Sequence, residues 1–454
     1  MTTIHARHAL LADGWNADVR LELEGGRIAA ITGGMAPQAG DTTAAILLPA
    51  MPNLHSHAFQ RGMAGLAEIR GPGVDSFWSW RETMYRFALS MTPDDVAAVA
   101  AQLYVEMLEA GFSRVGEFHY LHHDTDGRPY ADPAEMAAAI ASAAGETGIG
   151  LTLLPVFYAH SGFGGAAPSE GQRRFINDLD GFSRLLDGCD RALKPLPTAI
   201  LGTAAHSLRA VTPAELATVG ALRPNAPMHI HIAEQVKEVE DCLAWSGRRP
   251  VEWLLANVEI DRRWCLIHAT HMMPAEAGAL GRSGAVAGLC PITEANLGDG
   301  TFRAGDFIAA GGAYGVGSDS NVLIGVADEL RQLEYSLRLE QRRRNILAAP
   351  GTSTGRALFD AALAGGARAL GAGSSAALQP GAAADFVSLD ADHPALIGRH
   401  GDQSLDAWIF GASRPAIDGV WVAGIRQVES GRHRHRDAIH RRFRATTEAL
   451  AARH

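Results

Sequence analysis

The pair His55-Ser-His57 is the first place in the chain where residue type and spacing point to chemistry. It follows an apolar run, Leu47-Leu48-Pro49-Ala50-Met51-Pro52-Asn53-Leu54. Side chains two apart in extended backbone share a face, so both imidazoles can aim at one ion. Neutral imidazole is a common zinc ligand, and a site of this kind needs further ligands from elsewhere in the chain. Among 19 histidines, one His-x-His carries little weight by itself. Its weight comes from where the other ligand types fall.

They fall at the ends of short apolar runs that read as strands. Met228-His-Ile-His231 ends in His231, and Glu234 follows three residues on. The run 263–268 ends in His268, with His271 the less well placed alternative. The run 313–318 leads into Asp319, which could instead cap a helix. His229, two residues before His231 on the same strand, reads as a packed residue and not as a ligand. His119, His122 and His123 sit in a loop after another strand and read mainly as bystanders. Histidines with one aspartate make a one-metal site with room for a water. A bound zinc lowers the pKa of such a water to about 7. Asp319 can ligate the ion and take that water's proton, and Glu234 can carry a proton to the leaving group. His268 can position the attacking oxygen and steady the tetrahedral centre. The set suits hydrolysis of a C–N or C=N bond at an sp² carbon. The same donors would also take Fe²⁺, Mn²⁺ or Co²⁺.

Elements must bring these ends together. Strand candidates at 45–51, 112–118, 149–156, 198–204, 227–232, 263–268, 284–290 and 313–318 alternate with Ala/Leu-rich stretches such as Asp94 to Ala110 and Ala134 to Glu146. Eight such units predict a distorted (β/α)8 TIM-like barrel, whose active site lies where the strands end. Periodicity alone leaves a doubly wound sheet open. Arg20 to Thr32 reads as a hairpin around Gly25-Gly26, and strands return at 384–389 and 419–426. The two chain ends therefore predict a small β-sandwich domain. The expected division is 1–46 with 376–430 for that domain, 47–375 for the barrel and 431–454 for a C-terminal helix.

Composition narrows the classes. The length of 454 residues and a 47% apolar content fit a barrel with a small accessory domain. A net charge of −10 gives no reason to expect nucleic-acid binding, and the basic stretch from Arg432 to Arg444 reads as a solvated helix. Four scattered cysteines read as reduced core residues of a cytoplasmic protein. No apolar h-region opens the chain, and no run approaches the roughly twenty uncharged residues of a membrane span.

At this point the chain resembles the amidohydrolase superfamily, through Pro52-Asn-Leu-His55-Ser-His57, His231-Ile-Ala-Glu234, His268, Gly317-Ser-Asp319-Ser-Asn321 and Leu378-Gln-Pro-Gly381. Binuclear members carry a carboxylated lysine after strand four. This chain has only Lys194 and Lys237, and has Ala204-Ala-His206 at that position. The resemblance therefore implies one zinc per subunit, held by His55, His57, His231 and Asp319. Within the deaminase branch, Leu54-His-Ser-His-Ala-Phe-Gln60, Val115-Gly-Glu-Phe-His-Tyr120, Ala205-His206-Ser-Leu-Arg209 and Cys290 to Asp299 resemble the formimidoylglutamate deiminases. Those enzymes hydrolyse the terminal imine of N-formimino-L-glutamate, in histidine degradation. The resemblance implies that Gln60, Arg81, Tyr120, His206 and Arg209 hold substrate, and that the enzyme is a homodimer with no partner besides its small-molecule substrate. Two arginines suit two carboxylates, which guanidinium grips bidentately. Arg81 could instead pair with Glu82 or Asp75, and Arg209 could cap a helix. The rival readings are a deaminase of guanine, an adenosine derivative or an aminotriazine, and a non-catalytic relative kept as an assembly module.

Overall fold

Eight parallel strands frame the middle of the chain in a computed structural model that describes residues 2–71, 73, 75–413 and 415–453. They are β1 (Met51–Ser56), β2 (Phe112–His119), β3 (Gly150–Phe157), β4 (Thr203–Ser207), β5 (Met228–Ile232), β6 (Trp264–His268), β7 (Val286–Leu289) and β8 (Ala313–Val316). Each pairs with the next in chain order. The ring closes where Ser56 bridges Asp319. There the His57 amide donates to the Asp319 carbonyl at 3.0 Å and the Asp319 amide to the His55 carbonyl at 2.9 Å. The fold is the (β/α)8 barrel expected. Strands covered on both faces are mostly apolar, and β2, β3, β5, β6 and β7 are buried throughout.

The helices Pro93–Glu109 and Glu135–Thr147 stand where the Ala/Leu-rich stretches put them. Thr92 caps the first, donating from its hydroxyl to Asp95 while accepting from the Asp95 amide. The helix Thr354–Ala369 packs against β1, β7 and β8. Two strand expectations shift. The run 45–51 is not one strand: Thr42–Pro49 belongs to the terminal sheet, and β1 begins at Met51. The 198–204 strand divides into Ile200–Leu201, an extra short strand on β3, and β4 proper. Apolar content is continuous across both breaks, so only pairing partners mark them.

The two ends of the chain build one eight-stranded sheet, the small β domain expected. Its order is Arg432–His433, Ile425–Glu429, Ile417–Val422, Phe386–Leu389, Thr42–Pro49, Thr2–Leu11, Gly14–Glu24, Arg27–Thr32. The 419–426 strand is in fact a hairpin turning at Ala423-Gly424. Strand alternation divides the burial. Leu47 and Phe386 pack in a separate core with Ile4, Leu21 and Trp421, while Ile46, Leu48, Val387 and Leu389 face the barrel core. The basic stretch enters the helix Arg436–Ala451, which is docked and not merely solvated. Ile439 and Leu450 are buried, and Arg436 and Arg442 pair with Glu109 and Glu146. No helix of the described residues is long and apolar enough to cross a membrane.

Candidate active site

His55 lies within β1 and His57 one residue past its end. His231 is the fourth residue of β5, and Asp319 follows β8. One donor atom from each lies within 4.8 Å of the others, and all four residues are buried. Two asparagines lace the first and last strands. Asn53 Nδ2 donates to Ser318 Oγ at 2.6 Å and its Oδ1 accepts from the Ser318 amide at 3.0 Å. Asn321 Nδ2 donates to the His57 carbonyl at 3.1 Å. The seam also needs Gly317, where a Cβ would meet the His55 backbone nitrogen and oxygen at 2.7 Å. Asp319 and His268 hold left-handed φ of 46° and 67°. Conformations this costly for non-glycine residues cluster where side chains must be aimed.

The donor set fits a zinc-class ion. A neutral His57 ring carries its proton on Nδ1, where the Phe118 carbonyl accepts it at 2.9 Å. That turns a bare Nε2 toward Asp319 Oδ1, 3.2 Å away. A metal ion fits between two such electron-rich atoms. His55 Nε2 faces His231 Nε2 at 3.0 Å, and burial pushes His55 down to about 3 and His231 well below its usual range, so both rings stay neutral. Burial works to raise the Asp319 carboxyl, but His55 and His57 hold it well below the usual carboxylate range. Three imidazoles and one carboxylate match a tetrahedral site.

Glu234 and His268 border this cluster. His268 Nδ1 is 3.3 Å from Glu294 Oε1, while its Nε2 lies 3.9 Å from Glu234 Oε1 and 3.8 Å from Asp319 Oδ2. Burial works against a charged ring, but Glu234, Glu294 and Asp319 together lift His268 to about 10. Burial pushes the Glu234 carboxyl up. His271, the alternative to His268, makes no part of this group; its amide bonds the Ala233 carbonyl.

The pocket above the cluster is lined by Gln60, Arg81, Tyr120, His206 and Arg209, all named from the sequence, and also by Trp80, Tyr85, Tyr158 and Phe175. The Arg81 guanidinium stacks 4.4 Å from the Trp78 ring, and Arg209 lies 6.0 Å from the same indole. Asp75 bonds the Gly71 amide instead of Arg81, and Thr212, not Arg209, caps the following helix. Arg209 Nη2 is 3.8 Å from Glu238 Oε2, whose other oxygen accepts from the Ala233 amide at 3.1 Å. Gln60 Nε2 donates to the Tyr120 hydroxyl at 2.9 Å, leaving buried Gln60 Oε1 unpartnered. His206 packs on Tyr158 at 4.3 Å. His229 bonds the Ala369 carbonyl, and His122 and His123 bond the Val156 and Ile176 carbonyls, so these are structural residues. Sequence reasoning missed Glu294, Glu238 and Tyr158. Tyr158 directly follows β3, a position the strand-end rule could have flagged.

Residues 46–426 match the model of the amidohydrolase family, and residues 1–45 match that of the formimidoylglutamate deiminase HutF N-terminal domain. The formimidoylglutamate deiminase of Pseudomonas aeruginosa is 52% identical over 448 residues, 98% of each chain. A solved amidohydrolase from Brucella melitensis is 61% identical, with a TM-score of 0.97 over 99% of this chain and 100% of that one. An adenosine deaminase from Xanthomonas campestris, solved with zinc bound, has a TM-score of 0.84 at 21% identity, over 99% and 98% of the two chains, a likeness of fold alone.

Proposed function

The chain belongs to the amidohydrolase family, and from that premise we propose that it is a formimidoylglutamate deiminase, hydrolysing the terminal imine of N-formimino-L-glutamate to N-formyl-L-glutamate and ammonia in histidine degradation. One observation carries the substrate. Arg81 and Arg209 line the same pocket as the His/Asp cluster, Glu234 and His268. Two guanidiniums suit a ligand with two carboxylates; an uncharged nucleobase has less use for two cations. The 52% identical relative supports the same reading.

Zinc is the ion proposed, held by His55, His57, His231 and Asp319; when bound it supplies Lewis acidity and makes a water acidic near neutral pH. The residues do the rest. Arg81 and Arg209 hold the two carboxylates, and Gln60 Oε1 accepts from the formimino N–H. Asp319 takes a proton from the attacking water as its oxygen adds to the formimino carbon. Glu234 delivers a proton to the imine nitrogen, takes the proton of the added hydroxyl and passes it to the same nitrogen as the C–N bond breaks and ammonia leaves; the proton held by Asp319 then restores Glu234. His268, fixed through Nδ1 by Glu294, turns its Nε2–H toward the oxygen where negative charge develops. Tyr158, Tyr85 and Phe175 exclude bulk water. The remaining parts of the proposal are a homodimer in the cytoplasm, supported by the family resemblance, and a division of the chain into 1–46 with 376–430, 47–375 and 431–454, supported for the terminal domain by the core that Ile4, Leu21 and Phe386 share, with the strand Thr42–Pro49 carrying the first border on to Pro49.

The test is ammonia release by zinc-loaded protein, with N-formimino-L-glutamate and guanine run side by side. Release from the formimino substrate alone is expected. Release from guanine alone would keep the metal site and discard the dicarboxylate pocket. Metal analysis and light scattering check zinc and the dimer.

A further inference from the structure

We propose that His268, Cys290 and Asp319 form a second cation site, suited to zinc or cadmium, whose occupation shuts the enzyme down. Three consecutive strands supply it. His268 ends β6, Cys290 follows β7 and Asp319 follows β8. One donor atom of each lies within 4.8 Å of the other two, and all three residues are buried. The first set draws on β1, β5 and β8, so the two share only Asp319. That carboxylate faces both ways. Its Oδ1 lies 3.5 Å from His55 Nε2 and 3.2 Å from His57 Nε2, and its Oδ2 lies 3.8 Å from His268 Nε2. Glu294 occupies His268 Nδ1, so Nε2 is the atom turned inward.

Donor type agrees with this assignment. Imidazole, thiolate and carboxylate are all zinc ligands, and a thiolate favours softer ions such as cadmium. The mechanism above gives Cys290 no task. The side chain could be simple core filling, as Cys265 is in the same cluster with Leu54 and Ile267. Cys290 differs in its neighbours. Its Sγ lies within 4.8 Å of a donor atom of His268 and of one of Asp319. The site is not the lysine-bridged centre of binuclear relatives, because its third donor is a thiol from β7.

Coordination displaces the thiol proton of Cys290 and the Nε2 proton of His268 to solvent. It also takes Asp319 Oδ2. The two groups that position and deprotonate water are then held by the second ion, so inhibition follows while the first ion stays in place.

The test loads the holoenzyme with one zinc per chain and titrates cadmium. Wild type is expected to bind a second equivalent, show a thiolate-to-cadmium charge-transfer band in the near ultraviolet and lose about a hundredfold in ammonia release, the scale of lost acid–base catalysis. Cys290→Ala and Cys290→Ser should keep their zinc, show no such band and retain their activity at the same cadmium concentration. The proposal is overturned if wild type takes no second equivalent, if both variants show the same band or inhibition, or if zinc leaves as cadmium enters. Only the activity readout rests on the function proposed above; stoichiometry and band decide the matter even for a protein inert toward N-formimino-L-glutamate.

Discussion

Glu234 and Arg209 do different work in one pocket, and their variants separate chemistry from binding. Glu234→Gln keeps the shape of the side chain but cannot deliver a proton. It should retain metal and lose about 10²- to 10⁴-fold in kcat; steady-state kinetics beside metal analysis checks this, and near-wild-type kcat would remove Glu234 from its role. Arg209→Met removes a charge-assisted grip. The expected loss is about 1.5–3 kcal/mol, or roughly ten- to a hundredfold in kcat/KM, for a dicarboxylate substrate. A formimino amine lacking carboxylates should be hurt far less, and equal losses would assign Arg209 to structure alone. The ligand and proton-transfer residues were legible because each lies at or just past a strand end. Glu238 and Glu294 were not. Their work is to hold Arg209 and His268, and such pairings across elements leave no spacing in the sequence.

At the scale of elements, buried histidines tie strands to helices. His229 Nε2 donates to the Ala369 carbonyl at 2.8 Å, fastening β5 to the end of the helix Thr354–Ala369. Burial pushes His229 down to about 4 and His119 down to about 3, against 6.5 for a free ring. The folded chain therefore keeps these rings neutral where the unfolded chain would protonate them. Their stabilisation is complete above pH 6.5 and is lost as pH falls from there toward 4 for His229. The shift corresponds to about 3 kcal/mol for His229. In thermal melts of metal-free protein across that window, His229→Gln should show a shallower fall of Tm than wild type. Parallel slopes would show that this ring does not govern acid lability. The sequence marked His229 as a packed residue, but not its carbonyl partner, which is 140 residues away. The same limit explains the misplaced first strand. Leu47 and Leu54 are both fully buried, yet one lies in the terminal sheet and the other inside the barrel, and hydropathy cannot tell those environments apart.

At the scale of the molecule, barrel closure and metal binding share one seam. The contact between β1 and β8 runs through the backbone of His55, His57 and Asp319, the residues whose side chains converge on the ion site. The barrel was legible because eight apolar runs recur with helical spacers, and the terminal β domain because hairpin texture returns at the far end. Their shared sheet was not, since Thr42–Pro49 pairs with Phe386–Leu389 across more than 300 residues. This layout predicts what zinc removal does. Without the ion, His57, Asp319, His55 and His231 lose the shared ligand that ties β1, β5 and β8 together at the seam. At a zinc concentration a thousandfold above Kd, binding adds about 4 kcal/mol to the folded state. Chelation should therefore lower Tm reversibly. Hydrogen exchange should show lost protection first at the ends of β1, β5 and β8, while Thr2–Leu11 and Gly14–Glu24, whose inner face has its own core, change little. Uniform loss over both regions would mean that the ion stabilises one undivided cooperative unit and does not act on the seam.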